Sequence, residues 1–281
     1  MNPDLLFYGA LAAIGLAAGL LGALLGLGGG IFLVPVLTLA MGLSPQQAAG
    51  ISLVAVVATS TAGASTYVRA RLTNIRLALL LAPATVAAAV VASWLAQGLA
   101  KEILHVLFAG LLLYAAVNMV RPSPRASTAV TVADAPDPWN LAGSYADRMT
   151  GQTVRYQVGR IPQGFAASLV GGFVSGLLGV GGGIVQVPVM NLLMGVPLKV
   201  ATGTSNFLVG ITAVASTFIY YASGRINPLY AVPVALAVFA GARVGAALVQ
   251  RIPNAQLRRI FAVVAVVVAV LMTLKAAHIL P

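Results

Sequence analysis

One glycine-rich sequence occurs twice in this chain. Residues 24–36 read LLGLGGGIFLVPV, and residues 177–189, 153 positions later, read LLGVGGGIVQVPV, with identity at ten of the thirteen positions. The same offset aligns further pairs downstream: Gly50 with Gly203, Ser52 with Ser205, Tyr67 with Tyr220 and Phe108 with Phe261. A duplicated apolar chain with a glycine break and a proline at matching places is the pattern of a transporter built from two repeats.

The composition excludes a soluble domain. Hydrophobic residues make up 60% of the chain and charged residues 7%, and runs such as 5–27, 78–97 and 260–274 match or approach the roughly 20 residues that span a bilayer. The net charge of +11 does not indicate nucleic-acid binding, because the basic residues lie between apolar segments rather than on one face. Without cysteine, the chain has no disulfide and no thiolate metal site. The first apolar run lacks a basic leader, so we expect a retained helix.

Both halves resolve into the same series of apolar segments. We divide the chain into a first transmembrane repeat (1–120), a polar cytoplasmic linker (121–160), flexible in its first part, and a second repeat (161–281). The predicted helices are 5–27, 31–43, 47–68, 77–98 and 102–120 in the first repeat, and 161–180, 184–196, 200–222, 229–250 and 256–274 in the second. The predicted fold class is therefore all-α, a polytopic transmembrane protein.

The short helix after each glycine triplet is the informative one. Thirteen helical residues reach about 20 Å, less than the roughly 30 Å hydrocarbon core. We therefore expect each triplet to lie inside the membrane, at the tip of a broken, re-entrant helical hairpin. Irregular backbone at that depth is tolerated only where protein or a water-filled cavity surrounds it.

The distribution of positive charge favours an inverted repeat. With no net crossing by the hairpins, each half crosses three more times and the second half is upside down. Twelve basic residues then lie inside and Lys101, Arg225 and Lys275 outside, whereas a parallel duplication leaves ten inside and five outside. Because cytoplasmic loops carry an excess of Lys and Arg, the inverted arrangement fits better, with both termini outside.

The glycine triplets are the first candidate binding elements. Inverted hairpins bring Gly28, Gly29 and Gly30 close to Gly181, Gly182 and Gly183. Each short helix would direct its N-terminus, with free N–H groups and a partial positive charge, at the tips, which suits an anion. The alternative is that the glycines only permit tight packing of membrane helices.

Polar residues near the tips are the second candidate group. We expect substrate contacts from Ser52, Gln186, Thr202, Thr204, Ser205 and Asn206, because hydroxyls and amides donate to an oxyanion without the cost of burying an ammonium. The alternative for Ser and Thr is helix capping or bonding to the i−4 carbonyl. Asn191 lies on the same short helix as Gln186.

Arg243 is the only basic residue deep in a predicted span, and intramembrane charges are functional candidates, so we include it in the predicted site; snorkelling to the inner surface is the alternative. The five acidic residues all lie in termini or loops, and no catalytic triad, HExxH motif or carboxylate pair occurs. We therefore expect no enzyme, no cofactor, no metal and no carboxylate proton relay.

The doubled motif, from Gly22 through Leu37 and from Gly176 through Met190, together with Ala201-Thr-Gly-Thr-Ser205, resembles the sulfite exporter TauE/SafE family. The resemblance covers nearly the whole chain outside the linker. It implies a bacterial inner-membrane permease that moves small anions, often sulfur-containing ones such as sulfite or sulfonates. The first half reads Ala49-Gly50-Ile51-Ser52 where the family pattern has Thr-Gly-Thr-Ser, so we expect the second half to dominate binding.

We predict a permease that exports a sulfur oxyanion or an organosulfonate such as sulfoacetate between the two tips. Its predicted partners are the small anion and the lipid bilayer, without nucleic acid, and a homodimer is left open. An anion-selective channel is one alternative. The other is a membrane assembly protein that does not transport, although such a protein would not need internal polar residues like Gln186, Asn191 and Asn206.

Overall fold

The computed structural model describes residues 3–120, 137–147 and 151–248, together with isolated residues between 252 and 274. Within them the chain forms nine α-helices, a π-helical segment and two strands, in this order: α1 (Pro3–Leu25), α2 (Gly30–Ala40), α3 (Pro45–Arg69), α4 (Ile75–Ala96), α5 (Lys101–Val120), β1 (Gly143–Ala146), β2 (Thr153–Tyr156), α6 (Ile161–Leu178), α7 (Gly183–Pro188), the π-helical segment (Val189–Leu193), α8 (Leu198–Ala222) and α9 (Pro228–Leu248).

The described helices include six that are long and apolar enough to cross a membrane: α1, α3, α4, α6, α8 and α9. Gly30–Ala40 and Gly183–Leu193 are shorter apolar helices. The prediction of a polytopic helical membrane protein is confirmed. Local sequence sets several boundaries: Ser44 and Gln47 form a capping box at the start of α3, and the Asn74 side chain caps α4. The predicted helix at 256–274 and the first part of the linker lie largely or wholly outside the described residues.

The second short helix changes its winding at Pro188. The predicted helix over 184–196 is α-helical only to Pro188 and then forms a π-helical segment, in which the Met194 N–H donates to the Val189 carbonyl five residues back. A proline lacks the N–H that continues an α-helical ladder, but the equivalent Pro35 lies inside α2, which stays α-helical to Ala40, so the proline alone does not explain the change. The Asn191 amide donates to the Val196 carbonyl (2.9 Å) and holds the following turn.

The linker contains a small β-hairpin that the sequence analysis did not predict. Strand β1 pairs antiparallel with β2, with Gly143 opposite Tyr156. The inward-facing side chains include Tyr145 and Tyr156, and both are buried. Strands of four residues lie at the lower limit of length for a useful alternation signal, and the Tyr156 hydroxyl finds its partner Asn74 82 residues away in sequence.

Contacts between the two repeats recur with the 153-residue offset. Helix α1 packs along α9, and α4 packs in the same way along α6. The Cα of Gly19 lies against the Val238 carbonyl, and that of Gly172 lies against the Thr85 carbonyl. With the 153-residue offset, Gly19 is equivalent to Gly172 and Val238 to Thr85, so each contact is the counterpart of the other. Equivalent residues of the two repeats therefore make equivalent contacts.

The equivalent helices α3 and α8 run in opposite directions. In three contacts along the pair, the residue numbers rise on α3 while they fall on α8 and the turn after it. The contacts are Gly50 with Arg225, Ser60 with Asn206, and Tyr67 with Gly203. The start of α8 therefore lies beside the end of α3, at the end of the molecule where the linker hairpin sits. The opposite end carries the start of α3 and the end of α8, where Gln46 donates to the Leu99 carbonyl (3.0 Å).

Candidate functional site

Both glycine triplets form the turn between a long helix and a short one. Gly28 and Gly29 have φ values of 78°, and Gly181 and Gly182 have φ values of 83° and 73°. These values lie in the left-handed region, which glycine adopts without a Cβ penalty. The short helices begin at Gly30 and Gly183, one residue earlier than predicted, so their first N–H groups face the turn without intrahelical partners.

The two turns pack directly against each other. A Cβ placed on Gly30 would lie 2.7 Å from the Gly179 carbonyl oxygen, and one placed on Gly183 would lie 2.7 Å from the Leu27 Cα. Neither space accepts a side chain, so the packing interpretation of the glycines holds at these two positions. Close backbone approach to a ligand has the same requirement for glycine.

A matched pair of hydrogen bonds fastens each turn to the opposite repeat. The Ser52 hydroxyl donates to the Gly179 carbonyl (2.7 Å), and the Ser205 hydroxyl donates to the Gly26 carbonyl (2.9 Å). Both serines are fully buried. Because their protons are used in these bonds, Ser52 and Ser205 hold the turns in place in this conformation rather than presenting a free donor.

Three predicted site residues have buried polar atoms without a hydrogen-bond partner among the described residues. Both amide atoms of Asn206, the hydroxyl of Thr202 and the Nε2 of Gln186 are unpaired, and the three side chains are at most 1% exposed. A buried polar atom left unpaired costs about 1–3 kcal/mol. Such groups in a membrane interior are the expected mark of a site that completes its hydrogen bonds with a ligand.

Thr202 and Asn206 lie one turn apart on the same face of α8. Thr202 packs over Gly26 in the first turn, and the Asn206 amide lies against Gly63 of α3. Thr204 points elsewhere: its hydroxyl oxygen accepts from the Asn74 N–H (2.9 Å) beside the linker. The fold thus places Thr202 at the first turn and Asn206 one helical turn further along the same face, and directs Thr204 elsewhere.

Gln186 belongs to the second turn. Its Oε1 accepts from the Ser168 hydroxyl (3.2 Å), and its free Nε2 faces Gly171. The surrounding space has no room for a water molecule in this conformation. Its lining comes from both repeats and contains the second turn: Thr85, Gly171, Gly172, Gly181, Gly182, Gln186, Leu208, Val209 and Thr212. In this conformation the space around Gln186 is therefore closed.

The sequence analysis missed several polar residues near the second turn. The Ser175 hydroxyl is fully buried, has no partner among the described residues and lies beside Gly182. Ser168 and Ser175 align with Gly15 and Gly22 of the first repeat. Comparing the repeats for positions that are polar in only one of them would have found these serines.

Arg243 is not brought to the site. Its side chain is on the exposed face of α9, while Gly241 and Gly245 on the opposite face pack against backbone carbonyls of α1. The prediction that the two glycines form a helix-packing face agrees with the structure. The arginine lies near the end of α9, within reach of the membrane surface for a long side chain.

Carboxylates are absent from the interior of the described helices. The acidic side chains that the structure describes are Glu102 at the start of α5 and Asp137 and Asp147 in the linker. Asp147 accepts from the Lys199 ammonium (2.9 Å) at the start of α8. Burial, with the negative charge of Asp147 nearby, raises the pKa of Tyr145 to about 12, so this phenol stays protonated in the linker hairpin.

Broken helices packed tip to tip around unpaired polar groups define a class, the polytopic helical membrane transporters. The sequence matches the family profile described as "Sulfite exporter TauE/SafE" over residues 11–272, and the chain belongs to that family. It is similar to the Probable membrane transporter protein YunE of Bacillus subtilis (strain 168), with 26% identity over 273 residues that cover 92% of this chain and 94% of YunE. No solved structure matches the chain. The family is one of multi-pass membrane transporters and not of enzymes.

Proposed function

We propose that this transporter exports a small sulfur-containing anion, sulfite or an organosulfonate such as sulfoacetate, through a site at the two glycine turns. The description of the family supports the sulfur chemistry. The absence of carboxylates in the described spans supports an anionic rather than a cationic substrate.

One observation carries the proposal: the unpaired, buried donors Asn206 Nδ2, Thr202 Oγ1 and Gln186 Nε2. Neutral donors match the oxygens of a sulfite or sulfonate group and complete their own hydrogen bonds when the anion binds. They also hold the anion less strongly than a buried ammonium would, so the anion can leave again. The start of α2 adds a partial positive charge near the first turn without a charged side chain.

We further propose that the repeats are inverted in the membrane and that the hairpins are re-entrant. The opposite directions of the equivalent helices α3 and α8 support inversion, because repeats related by an axis along the membrane normal would run in parallel. Access would then alternate as one hairpin and its helices move against the other.

Charge at the two ends of the molecule supports the predicted orientation. The end with the linker hairpin carries basic residues on four elements and in the turn before α4: Arg69, Arg71, Arg76, Arg155, Arg160 and Lys199. The opposite end carries Lys101 and Arg225 among the described residues. The linker end is therefore assigned to the cytoplasm.

Binding and flux on the purified full chain test the proposal. Calorimetry should show that sulfite or sulfoacetate binds and that choline, a cation, does not. Taurine keeps the sulfonate but adds an ammonium, so weaker binding than sulfoacetate would show that net charge matters. Failure of sulfite, sulfate, thiosulfate and sulfoacetate alike to bind would refute the proposed site. In liposomes, labelled sulfite uptake accelerated by sulfite on the opposite side indicates a carrier, whereas unsaturable flux indicates the channel alternative.

A further inference from the structure

The start of α8 carries a polar stripe, defined here as Lys199, Thr202 and Asn206. The spacing i, i+3, i+7 puts the three side chains on one face of the helix. All three residues are at most 3% exposed. The stripe runs from the end of the molecule with the linker to the first glycine turn, where Thr202 packs over Gly26.

The polar stripe is absent from the first repeat. The equivalent positions of α3 hold Gln46, Ala49 and Leu53, with neither a charge nor a hydroxyl. Since the two repeats make equivalent contacts, the fold does not need a lysine at this place. The charge of Lys199 therefore needs an explanation outside the packing of the helices.

The Lys199 ammonium is paired with a carboxylate that comes from outside the bundle. Its Nζ lies 2.9 Å from Asp147 Oδ1, and this is the one salt bridge formed within the described residues. The lysine side chain is 4% exposed and the aspartate 16%. Asp147 follows β1 and begins the turn to β2, in which its N–H donates to the Gln152 carbonyl (2.9 Å).

The linker hairpin is attached to the same end of the bundle by separate bonds. The Asn74 amide donates to the Leu141 carbonyl (2.8 Å) and to the Tyr156 hydroxyl (3.3 Å), and Arg76 donates to the Asn140 carbonyl (2.9 Å). These bonds hold the hairpin without the Lys199–Asp147 pair. Asp147 is thus a tethered carboxylate over the outer end of the polar stripe.

We propose that Lys199 is an anion-binding residue at the cytoplasmic end of the pathway and that Asp147 is a built-in competitor that occupies it. The inference rests on the proposed function. An ammonium buried to this degree needs a counter-charge. A sulfite or sulfonate oxygen supplies the same charge as the carboxylate, so exchange between them keeps Lys199 neutralised. An anion at Lys199 lies on the same helix face as Thr202 and Asn206, and the polar stripe becomes its route between the cytoplasm and the turns.

The test is calorimetric sulfite binding to the purified full-length chain and its variants. Asp147→Asn removes the competitor but keeps the shape, and should lower the Kd for sulfite at least threefold. Lys199→Gln removes the cation and should raise the Kd about tenfold, as expected for the loss of a charged hydrogen bond. Lys101→Gln removes an exposed positive charge at the opposite end of the molecule without touching the hairpin or the stripe, and should leave the Kd within twofold.

The double variant Lys199→Gln with Asp147→Asn separates binding from folding, because it removes both members of the salt bridge together. It should bind sulfite as weakly as Lys199→Gln alone; a return to wild-type affinity would mean that the single variant lost binding by misfolding, and would overturn the proposal. The proposal would also be overturned if Asp147→Asn and Lys199→Gln changed the Kd for sulfite in the same direction, as expected of a purely structural salt bridge. If Asn206→Leu loses sulfite while Lys199→Gln keeps it, only this inference fails. If the wild-type chain binds no sulfite, the proposed function fails with it.

Discussion

Ser205 donates its hydroxyl proton to the Gly26 carbonyl across 2.9 Å, and so ties helix α8 of the second repeat to the glycine turn of the first. The equivalent residues of the two repeats form the same bond: Ser52 corresponds to Ser205 and Gly179 to Gly26, and the Ser52 hydroxyl donates to the Gly179 carbonyl at 2.7 Å. Each repeat therefore holds the turn of the other. Both bonds cross from one repeat to the other, so a rigid movement of one repeat against the other would break them.

Removing these hydroxyls should loosen the turns. We expect Ser52→Ala and Ser205→Ala each to lower stability by about 1 kcal/mol, the net value of one buried hydrogen bond. Thermal unfolding in detergent measures this loss. Thr61→Ala is the matched control, since the Thr61 hydroxyl bonds only its own helix on an exposed face (2.8 Å) and its loss should leave the unfolding temperature unchanged. Equal unfolding temperatures for all three variants would show that the serine bonds do not hold the turns.

The second glycine turn should not tolerate a side chain. Gly182 has a φ of 73°, and a Cβ there would lie 2.6 Å from the Gly171 carbonyl oxygen. We expect Gly182→Ala to abolish sulfite flux in liposomes, because both the backbone strain and the clash distort the turn. Gly110→Ala on α5 is the control, with open space around its Cβ position, and should transport normally. Normal flux for Gly182→Ala would move the pathway away from the turn.

Asn206→Leu should separate stability from binding. The two amide atoms are unpaired in this conformation, so an apolar side chain of similar size should leave the unfolding temperature equal or higher. Sulfite affinity should fall by about 1–3 kcal/mol, since the anion loses a buried donor. Calorimetry and thermal unfolding on one preparation give both values. Reduced stability with unchanged affinity would make Asn206 a structural residue.

Arg243→Gln should have little effect on affinity. The arginine lies on the exposed face of α9 and contacts neither glycine turn. We expect the Kd for sulfite to stay within twofold and the flux to fall modestly if the charge attracts anions from the cytoplasm. A large loss of affinity in calorimetry would place an anion contact at the inner end of α9.

Labelling can test the orientation directly, because the chain has no native cysteine. Ser144→Cys in the linker hairpin and Ser223→Cys after α8 are both exposed and lie at opposite ends of the molecule. A membrane-impermeant maleimide added to intact cells should label Ser223→Cys and reach Ser144→Cys only after lysis. Labelling of both in intact cells would contradict the proposed topology.

Much of the candidate site could be predicted from the sequence, because these features depend on the local backbone and side-chain preferences of single residues. The triplets predict positive φ, and Gly28, Gly29, Gly181 and Gly182 adopt it. The spacing of Gly241 and Gly245 predicts a packing face, and both contact α1. What the chain could not indicate was which hydroxyl had a partner: Ser205 bonds Gly26, 179 residues away, while Thr202 on the same helix has none.

Long apolar runs, the glycine breaks and the 153-residue offset were enough to determine by themselves a helical membrane protein of two repeats with broken helices. The bilayer demands long apolar segments, and backbone sterics make positive φ far less costly for glycine than for other residues. Tertiary structure alone decided which polar groups remain unpaired, that Arg243 faces outward, and that a linker hairpin places Asp147 on Lys199. Hydrogen bonds and ion pairs form between groups that are neighbours in space, and for these residues the neighbours lie on other helices, far away in sequence.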